Sequence, residues 1–354
     1  MRIGIPTEIK TLEGRVALIP DACSALVAAG HAVYVQSGAG LASGYADGDF
    51  AGAGAQVLPD AATLYGTAEI VVKVKEPQPS ELPLLRPDHR LFCFLHLAAE
   101  PALAAALCRI GLTAVAFETV ADAGGLPILA PMSDIAGRLA IQIGSTLLHR
   151  PNGGRGILLG GVPGARRGKV LVLGAGHAGG AAARLAAAMG GTVTVFDKSP
   201  ARLREMHDLG GNVTALYPFP HALDRLLPEV DLLVGAVLLP GAAAPRVVTA
   251  AQVSTMAPGS VIVDISVDQG GCVETTRPTT YAAPTYVVDG VTHFGVTNMP
   301  GAVPRTASQA LSSALAPWVL RLATDGWRDH PALLAGINAE GGRLVHPALA
   351  HLLN

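Results

Sequence analysis

The chain has 354 residues, 50% of them hydrophobic and 15% charged, which excludes a disordered chain and leaves material for about two packed domains. With 25 basic and 27 acidic residues the formal net charge is −2, so there is no basic field for nucleic acid. Aromatics are only 4%, and the abundance of Ala, Val, Leu and Gly fits helices packed on a buried sheet better than a nucleic-acid stacking surface.

The predicted elements alternate along the chain. Short apolar runs at 2–5, 31–35, 70–74, 91–95 and 113–117 read as strands, with helical patterns at 21–29, 61–64 and 102–110 between them. Gly30 reads as a C′ cap. A helix is predicted at 132–149, followed by the loop PNGGRGILLGGVPGARRG. Further strands are predicted at 169–173, 192–196, 232–237, 260–266 and 291–297, and a helix at 304–323. This alternation predicts parallel sheets with helices on both faces. The expected fold class is α/β. Residues 1–127 with 305–354 would form one discontinuous domain, and 128–304 a second.

Cys23, Cys93, Cys108 and Cys272 are scattered without a CxxC pair, so zinc-site spacing is absent and no metal is expected. Three of them lie in apolar contexts and read as reduced, buried thiols. MRIGIPTEIK lacks an apolar signal core, and no run of about 18 apolar residues is free of charge, Gly and Pro. The expectation is a cytoplasmic protein without a membrane partner.

The strongest local signal is KVLVLGAGHAGGAAARLAAAMGGTVTVFDKS. A strand runs into Gly174, Ala175, Gly176, His177, Ala178 and Gly179, which fill GxGxxG; a small-residue helix and a second strand ending at Asp197 follow. Gly174 permits the tight turn, Gly176 lets backbone approach a pyrophosphate, and Gly179 allows close helix–strand packing. The helix N-terminus offers free N–H groups to phosphate. Asp197 would accept hydrogen bonds from a ribose diol and repel a 2′-phosphate, which favours NAD over NADP; Lys198 and Arg202 nearby weaken that preference. His177 contributes through backbone rather than as a catalyst.

Hydride exchange with an amino or oxo acid needs a cation for the carboxylate and a proton-transfer group beside a held nicotinamide. Arg15 in EGRVALIP suits a bidentate clamp, or is a solvated loop arginine. Lys73 and Lys75 in EIVVKVKEP would share a strand face; either Lys75 binds substrate at the strand's carboxyl end or the pair guards an edge. His96, after LFCFL, reads as an acid–base group or a satisfied core histidine. Glu118 reads as a supporting residue. In VDISVDQGG, Asp264 lies mid-strand and is expected to be tied to N–H groups or a hydroxyl. Asp268, at the strand's carboxyl end, would face substrate.

The ordered series MRIGIPTEIK…GRVALIP, VKVKEP, FLHLAA, LAPMSDIAGRLA, GGVPG, VLGAGHAG, GAVLLPGAAAP, VDISVDQGGC, RPTTY and TNMPGAVPRT resembles the L-alanine dehydrogenase family, from residue 1 to about 328. The GIPTE…RVA pattern also resembles the NAD-binding α subunit of proton-translocating transhydrogenase. The resemblance implies NAD-linked interconversion of L-alanine with pyruvate and ammonium by a homohexamer, each subunit having two Rossmann-like doubly wound domains separated by a cleft, residues 1–127 with 305–354 as the substrate domain and 128–304 as the NAD-binding domain. It implies Arg15 and Lys75 on the substrate carboxyl and oxo groups and His96 with Asp268 as the acid–base pair, the division of roles between them open. Implied cofactor contacts are Ser133, His177, Ala178, Asp197, Arg202, Val237, Leu238, Ile265, Ser266, Val267, Asp268, Arg277, Val296, Thr297, Asn298 and Met299. In LYPFPHAL, where the family often offers a hydroxyl to the adenosine end, this chain has Pro218-Phe219. Alternatives are an imine reductase or opine-type dehydrogenase with a wider pocket, or a transhydrogenase-like NAD-binding module.

Overall fold

The β-branched and apolar runs of the chain pair mainly as parallel strands, in two separate sheets. The computed structural model describes residues 1–237 and 244–353. Its strands are β1 (Arg2–Ile5), β2 (Ala32–Gln36), β3 (Gln56–Leu58), β4 (Ile70–Val72), β5 (Arg90–Cys93), β6 (Thr113–Ala116), β7 (Lys169–Leu173), β8 (Thr192–Phe196), β9 (Val213–Leu216), β10 (Leu232–Gly235), β11 (Val261–Asp264), β12 (Thr285–Val288), β13 (Val291–Phe294), β14 (Ile337–Glu340) and β15 (Arg343–Leu344). The chain divides into two units, Met1–Met132 with Gly301–Asn354, and Ser133–Pro300.

In the first unit the strand order is β15-β14-β6-β5-β4-β1-β2-β3. The six strands from β6 to β3 are parallel, and the order reverses between β1 and β4. Both faces of the central strands are covered. Val71, Leu91, Cys93, Ala114 and Ala116 pack with Leu64, Leu103 and Leu107. The alternating residues Ile70, Val72, Phe92 and Val115 are equally buried. Such two-sided burial explains why these strands read as continuous apolar runs. The helix Pro20–Ala28 ends as expected at Gly30, whose φ of +88° and N–H bond to the Val27 carbonyl make the C′ cap.

The second unit has the order β12-β13-β11-β10-β7-β8-β9. Its six parallel strands have the doubly wound dinucleotide-fold arrangement, reversing between β7 and β10. Leu171, Leu173, Phe196, Leu233 and Ile262 form its core with Leu223, Leu227 and Val253.

The structure corrects three expectations. The sheets are not wholly parallel: β14 and β15 extend the first antiparallel, and β12 extends the second. Several strands stop short of their apolar runs, β4 at Val72, β5 at Cys93 and β11 at Asp264. The helix expected at 132–149 runs from Ala130 to Leu147.

Candidate active site

In an open α/β sheet, ligands bind beyond the carboxyl ends of strands where the order reverses. In the first unit that point lies between β1 and β4, whose following segments carry Glu8, Glu13, Arg15, Lys73 and Lys75. Arg15 is 2% exposed, which overturns the solvated-loop reading. Glu13 holds it edge-on, accepting from Nε at 2.7 Å and from Nη2 at 2.5 Å, while Nη1 reaches the Met132 Sδ at 3.2 Å. A guanidinium locked this way keeps its planar orientation without loss of further side-chain entropy on binding an acid.

The two lysines do not share a strand face, because β4 ends at Val72 and the chain bends through 74–75. Nor do they guard an edge: β4 lies between β1 and β5. Lys73 is buried, with its Nζ 3.2 Å from both Glu8 Oε2 and Glu81 Oε2. Tyr65 donates its hydroxyl to Glu81 at 2.8 Å. Burial by itself lowers an ammonium, but Glu8 and Glu81 outweigh it and hold Lys73 above its ordinary value. Burial also raises Glu8, against the pull of Lys73 and the Val74 N–H. Glu8 in turn accepts from the N–H groups of Val74 at 2.5 Å and Lys75 at 3.3 Å. The buried cluster therefore fixes the backbone that carries Lys75, whose side chain is half-buried. Sequence reasoning missed Glu8, Glu13 and Glu81. The available signal was electrostatic, since a lysine in an apolar strand requires buried countercharge.

His96 lies three residues beyond β5, and its side chain is 47% exposed, so it is not a satisfied core histidine. Its φ of +48° is left-handed, a conformation that for a non-glycine residue costs on the order of 1–3 kcal/mol and clusters at functional sites. Glu118 holds it there, accepting from the N–H groups of His96 at 2.6 Å and Leu95 at 3.2 Å. The ring stacks parallel to Phe94, and its Nδ1 is 3.8 Å from Glu118 Oε1.

In the second unit, the turn after β7 fits a dinucleotide. Gly174 has φ +93°, and a Cβ there would lie 2.6 Å from the Ala236 carbonyl. A Cβ on Gly179 would strike the Gly174 carbonyl, whereas at Gly176 nothing lies nearer than the Arg202 Nη1 at 3.8 Å. Gly176 caps the helix His177–Ala188 without a side-chain hydrogen bond, which leaves the first N–H groups available to phosphate. Asp197 accepts from the Ala175 N–H and the Ser199 N–H, each at 2.7 Å, with Arg202 Nη1 3.8 Å away. Each carboxylate oxygen retains acceptor capacity for ribose hydroxyls. His177 is exposed and Ala178 half-buried on that helix. Ser133 is half-buried near the start of the helix Ala130–Leu147.

VDISVDQGG changes form part-way. Asp264 ends β11, and its carboxylate accepts from the N–H groups of Ser266 at 3.0 Å, Cys272 at 2.9 Å and Val273 at 3.2 Å. It is a buried, tied carboxylate, as expected, raised by burial against those hydrogen bonds. Residues Ile265–Gln269 form a 3-10 helix instead of continuing the strand. That turn leaves Asp268 exposed, Ile265 half-buried, and Ser266 and Val267 buried; Ser266 Oγ donates to the Val237 carbonyl at 2.9 Å. Val237 ends half-buried after β10, while Leu238 lies outside the described residues. Arg277 stacks over Tyr286 at 4.3 Å. Val296 and Met299 are buried, Thr297 and Asn298 half-buried, and Asn298 is left-handed at φ +60°.

The two strand-order reversals, one bearing locked cations and the other a complete glycine turn with its acid, define a two-domain dinucleotide-type α/β protein. The N-terminal domain model of the alanine dehydrogenase/PNT family matches residues 4–136, and its C-terminal domain model matches residues 140–347. The chain is 49% identical to alanine dehydrogenase of Halomonas elongata, over 99% of this chain and 96% of that protein. It is 48% identical to alanine dehydrogenase of Bacillus subtilis, over 99% and 94%. A solved L-alanine dehydrogenase structure superposes with a TM-score of 0.96 at 49% identity, covering 100% of this chain and 99% of that one. A transhydrogenase structure from Sinorhizobium meliloti gives 0.86 at 26% identity, over 98% and 100%. The chain belongs to the alanine dehydrogenase/PNT family and is an oxidoreductase that works with a nicotinamide cofactor. No helix among the described residues is long and apolar enough to cross a membrane.

Proposed function

We propose that the chain catalyses the NAD-dependent, reversible oxidative deamination of L-alanine to pyruvate and ammonium. The observation that carries this reading is the locked Arg15 guanidinium at the strand-order reversal of the first sheet, in a chain 49% identical to an alanine dehydrogenase. The first unit takes the substrate and the second the cofactor.

Arg15 pairs with the substrate carboxylate, and Lys75 hydrogen-bonds the same group or the oxo oxygen. His96 and Asp268 exchange protons with the amine, the attacking water and the departing ammonia. Gly174, Gly176 and Gly179 admit the cofactor's pyrophosphate to the helix N-terminus, with Arg202 beside it. Asp197 takes the adenosine ribose, and segments 265–268 and 296–299, with Ser133, Val237 and Arg277, hold the nicotinamide half. When bound, NAD supplies a hydride acceptor at C4 of its nicotinamide. Asp197 favours NAD over NADP because a 2′-phosphate would meet a carboxylate. The working form is a cytoplasmic homohexamer.

The transhydrogenase-like reading is less well supported, at 26% identity against 49%. The test is NADH formation by the purified chain from L-alanine, with pyruvate compared against bulkier 2-oxo acids, plus ammonium, in reverse. NAD binding without alanine oxidation, or a preference for bulkier acids, would overturn the assignment.

A further inference from the structure

We infer that Ser43 and Ser308 are positioning residues for Arg15, an inference that rests on Arg15 taking the substrate carboxylate. Arg15 lies in a segment, residues 13–16, with no strand or helix to satisfy its backbone. Arg15, Val16, Ala17 and Leu18 are buried, so their peptide groups need partners from elsewhere in the fold. Two serines distant in sequence supply partners on either side of Arg15. Ser43 Oγ donates to the Gly14 carbonyl at 2.7 Å, and Ser308 Oγ accepts from the Val16 N–H at 2.9 Å. The two hydroxyl oxygens are 2.8 Å apart, and both residues are closed to solvent.

These bonds close a ring around a single residue. An amide N–H only donates and a carbonyl only accepts, which fixes the order of donors. The Val16 N–H donates to Ser308, Ser308 to Ser43, and Ser43 to the Gly14 carbonyl, which is nearer to it than the Pro304 carbonyl at 3.3 Å. Glu13 Oε1 accepts from the Arg15 N–H at 3.0 Å, on the other edge of the peptide that Ser43 holds. Both peptide planes flanking Arg15 are therefore set, and with them the direction in which its side chain leaves the backbone. Glu13 fixes the far end of that side chain at the guanidinium. Hydroxyls bonded in series in a low-dielectric interior strengthen one another.

The serines stand on ordered elements. Ser43 ends the 3-10 turn Leu41–Ser43, and Ser308 lies in the second turn of the helix Pro304–Leu322. Arg305 Nη1 donates to the Gly44 carbonyl at 3.0 Å and ties that turn to the helix. Gly14 is pressed between the two, since a Cβ there would lie 3.1 Å from the Ala42 Cβ and 3.3 Å from the Pro304 Cβ. One helical turn past Ser308, the equally buried Ser312 Oγ accepts from the Ile19 N–H at 3.0 Å. Ser312 makes the same kind of bond from the same helix, but to a peptide four residues beyond Arg15. It therefore separates anchoring of the loop from aiming of the guanidinium.

The test is steady-state NADH formation from L-alanine by the full chain as wild type, Ser43→Ala, Ser308→Ala and Ser312→Ala, with Arg15→Ala as reference and melting temperature recorded. Ser43→Ala and Ser308→Ala should each raise the KM for L-alanine about tenfold and leave the KM for NAD in place. Ser312→Ala should leave both KM values in place. A KM for L-alanine that moves no further in Ser43→Ala and Ser308→Ala than in Ser312→Ala overturns the inference, and so does an equal rise in both KM values. If Ser308→Ala does not fold, Ser43→Ala against Ser312→Ala decides by the same criterion. A wild-type KM for L-alanine in Arg15→Ala overturns the substrate reading of Arg15 and this inference with it. A large rise in Arg15→Ala with none in the Ser43 and Ser308 variants overturns this inference alone.

Discussion

Glu8 and Lys73 meet at 3.2 Å with both side chains closed to solvent, and the same carboxylate accepts from the N–H groups of Val74 and Lys75. One buried acid thus neutralises one lysine and positions the backbone of the next. Glu81 completes the charge cluster, with Tyr65 on its other oxygen. Replacing Lys73 by Met leaves two buried carboxylates without their cation, and should cost about 3–5 kcal/mol in chemical denaturation. Tyr65→Phe removes one hydrogen bond to a charged group and should cost about 1.5–3 kcal/mol. Equal and small losses for the two would show that Lys73 is not the cation on which the buried carboxylates depend.

Alkali should weaken the fold through its buried thiols. Burial pushes Cys23 from its ordinary 9.0 up to about 12. The unfolded thiol therefore ionises first. Stability is fully present below pH 9 and is lost as pH rises toward 12, by about 4 kcal/mol over the window. Cys23→Ala should remove its share of that slope in urea titrations between pH 8 and pH 11, Cys93 and Cys272, also raised by burial, supplying the rest, while Cys108→Ala, at a partly exposed site, should leave most of it.

The glycine turn separates folding from binding. A Cβ at Gly179 strikes the Gly174 carbonyl, so Gly179→Ala should cost about 1–3 kcal/mol and impair NAD binding as well. At Gly176 the protein itself leaves room. Gly176→Ala should keep its melting temperature and yet raise the KM for NAD at least tenfold, because the methyl occupies the path of the pyrophosphate. An unchanged KM would remove the turn from the cofactor site.

Asp197→Ala should relax discrimination between NAD and NADP, since it removes the carboxylate and leaves Arg202 near the ribose position. The ratio of kcat/KM for the two cofactors should move toward NADP by about tenfold or more. A wild type that already prefers NADP would contradict the assigned role.

Much of this was legible in the sequence. β1, β7 and β8 lie where their apolar runs predict, because a strand buried on both faces writes its limits in hydrophobicity. The glycine turn was legible because only glycine meets its backbone demands. The strand ends were not. Glu8 captures the Val74 N–H, Glu118 those of Leu95 and His96, and Asp264 that of Ser266. Each acid supplies the backbone with a local partner in place of the ladder, and the strand stops although the apolar run continues. These captures depend on residues distant in sequence for Glu8 and Glu118, so spacing does not reveal them. β3, β9, β12, β14 and β15 were missed: β3, β9, β12 and β15 are short or partly exposed strands, and β14, though buried, carries Asn338 and Glu340, so none reads as an apolar run. The locked state of Arg15 was hidden for the same reason as the lysine cluster, since burial of a charge is decided by tertiary packing.

His96 and Asp268, assigned to move the protons of amino-acid oxidation, are tested by steady-state NADH formation from L-alanine by His96→Ala and Asp268→Ala. Each should fold and lose about 10²–10⁴ in kcat, with NAD affinity near wild type for His96→Ala and weakened for Asp268→Ala, whose residue also belongs to the nicotinamide segment. Near wild-type turnover in both variants would contradict the account.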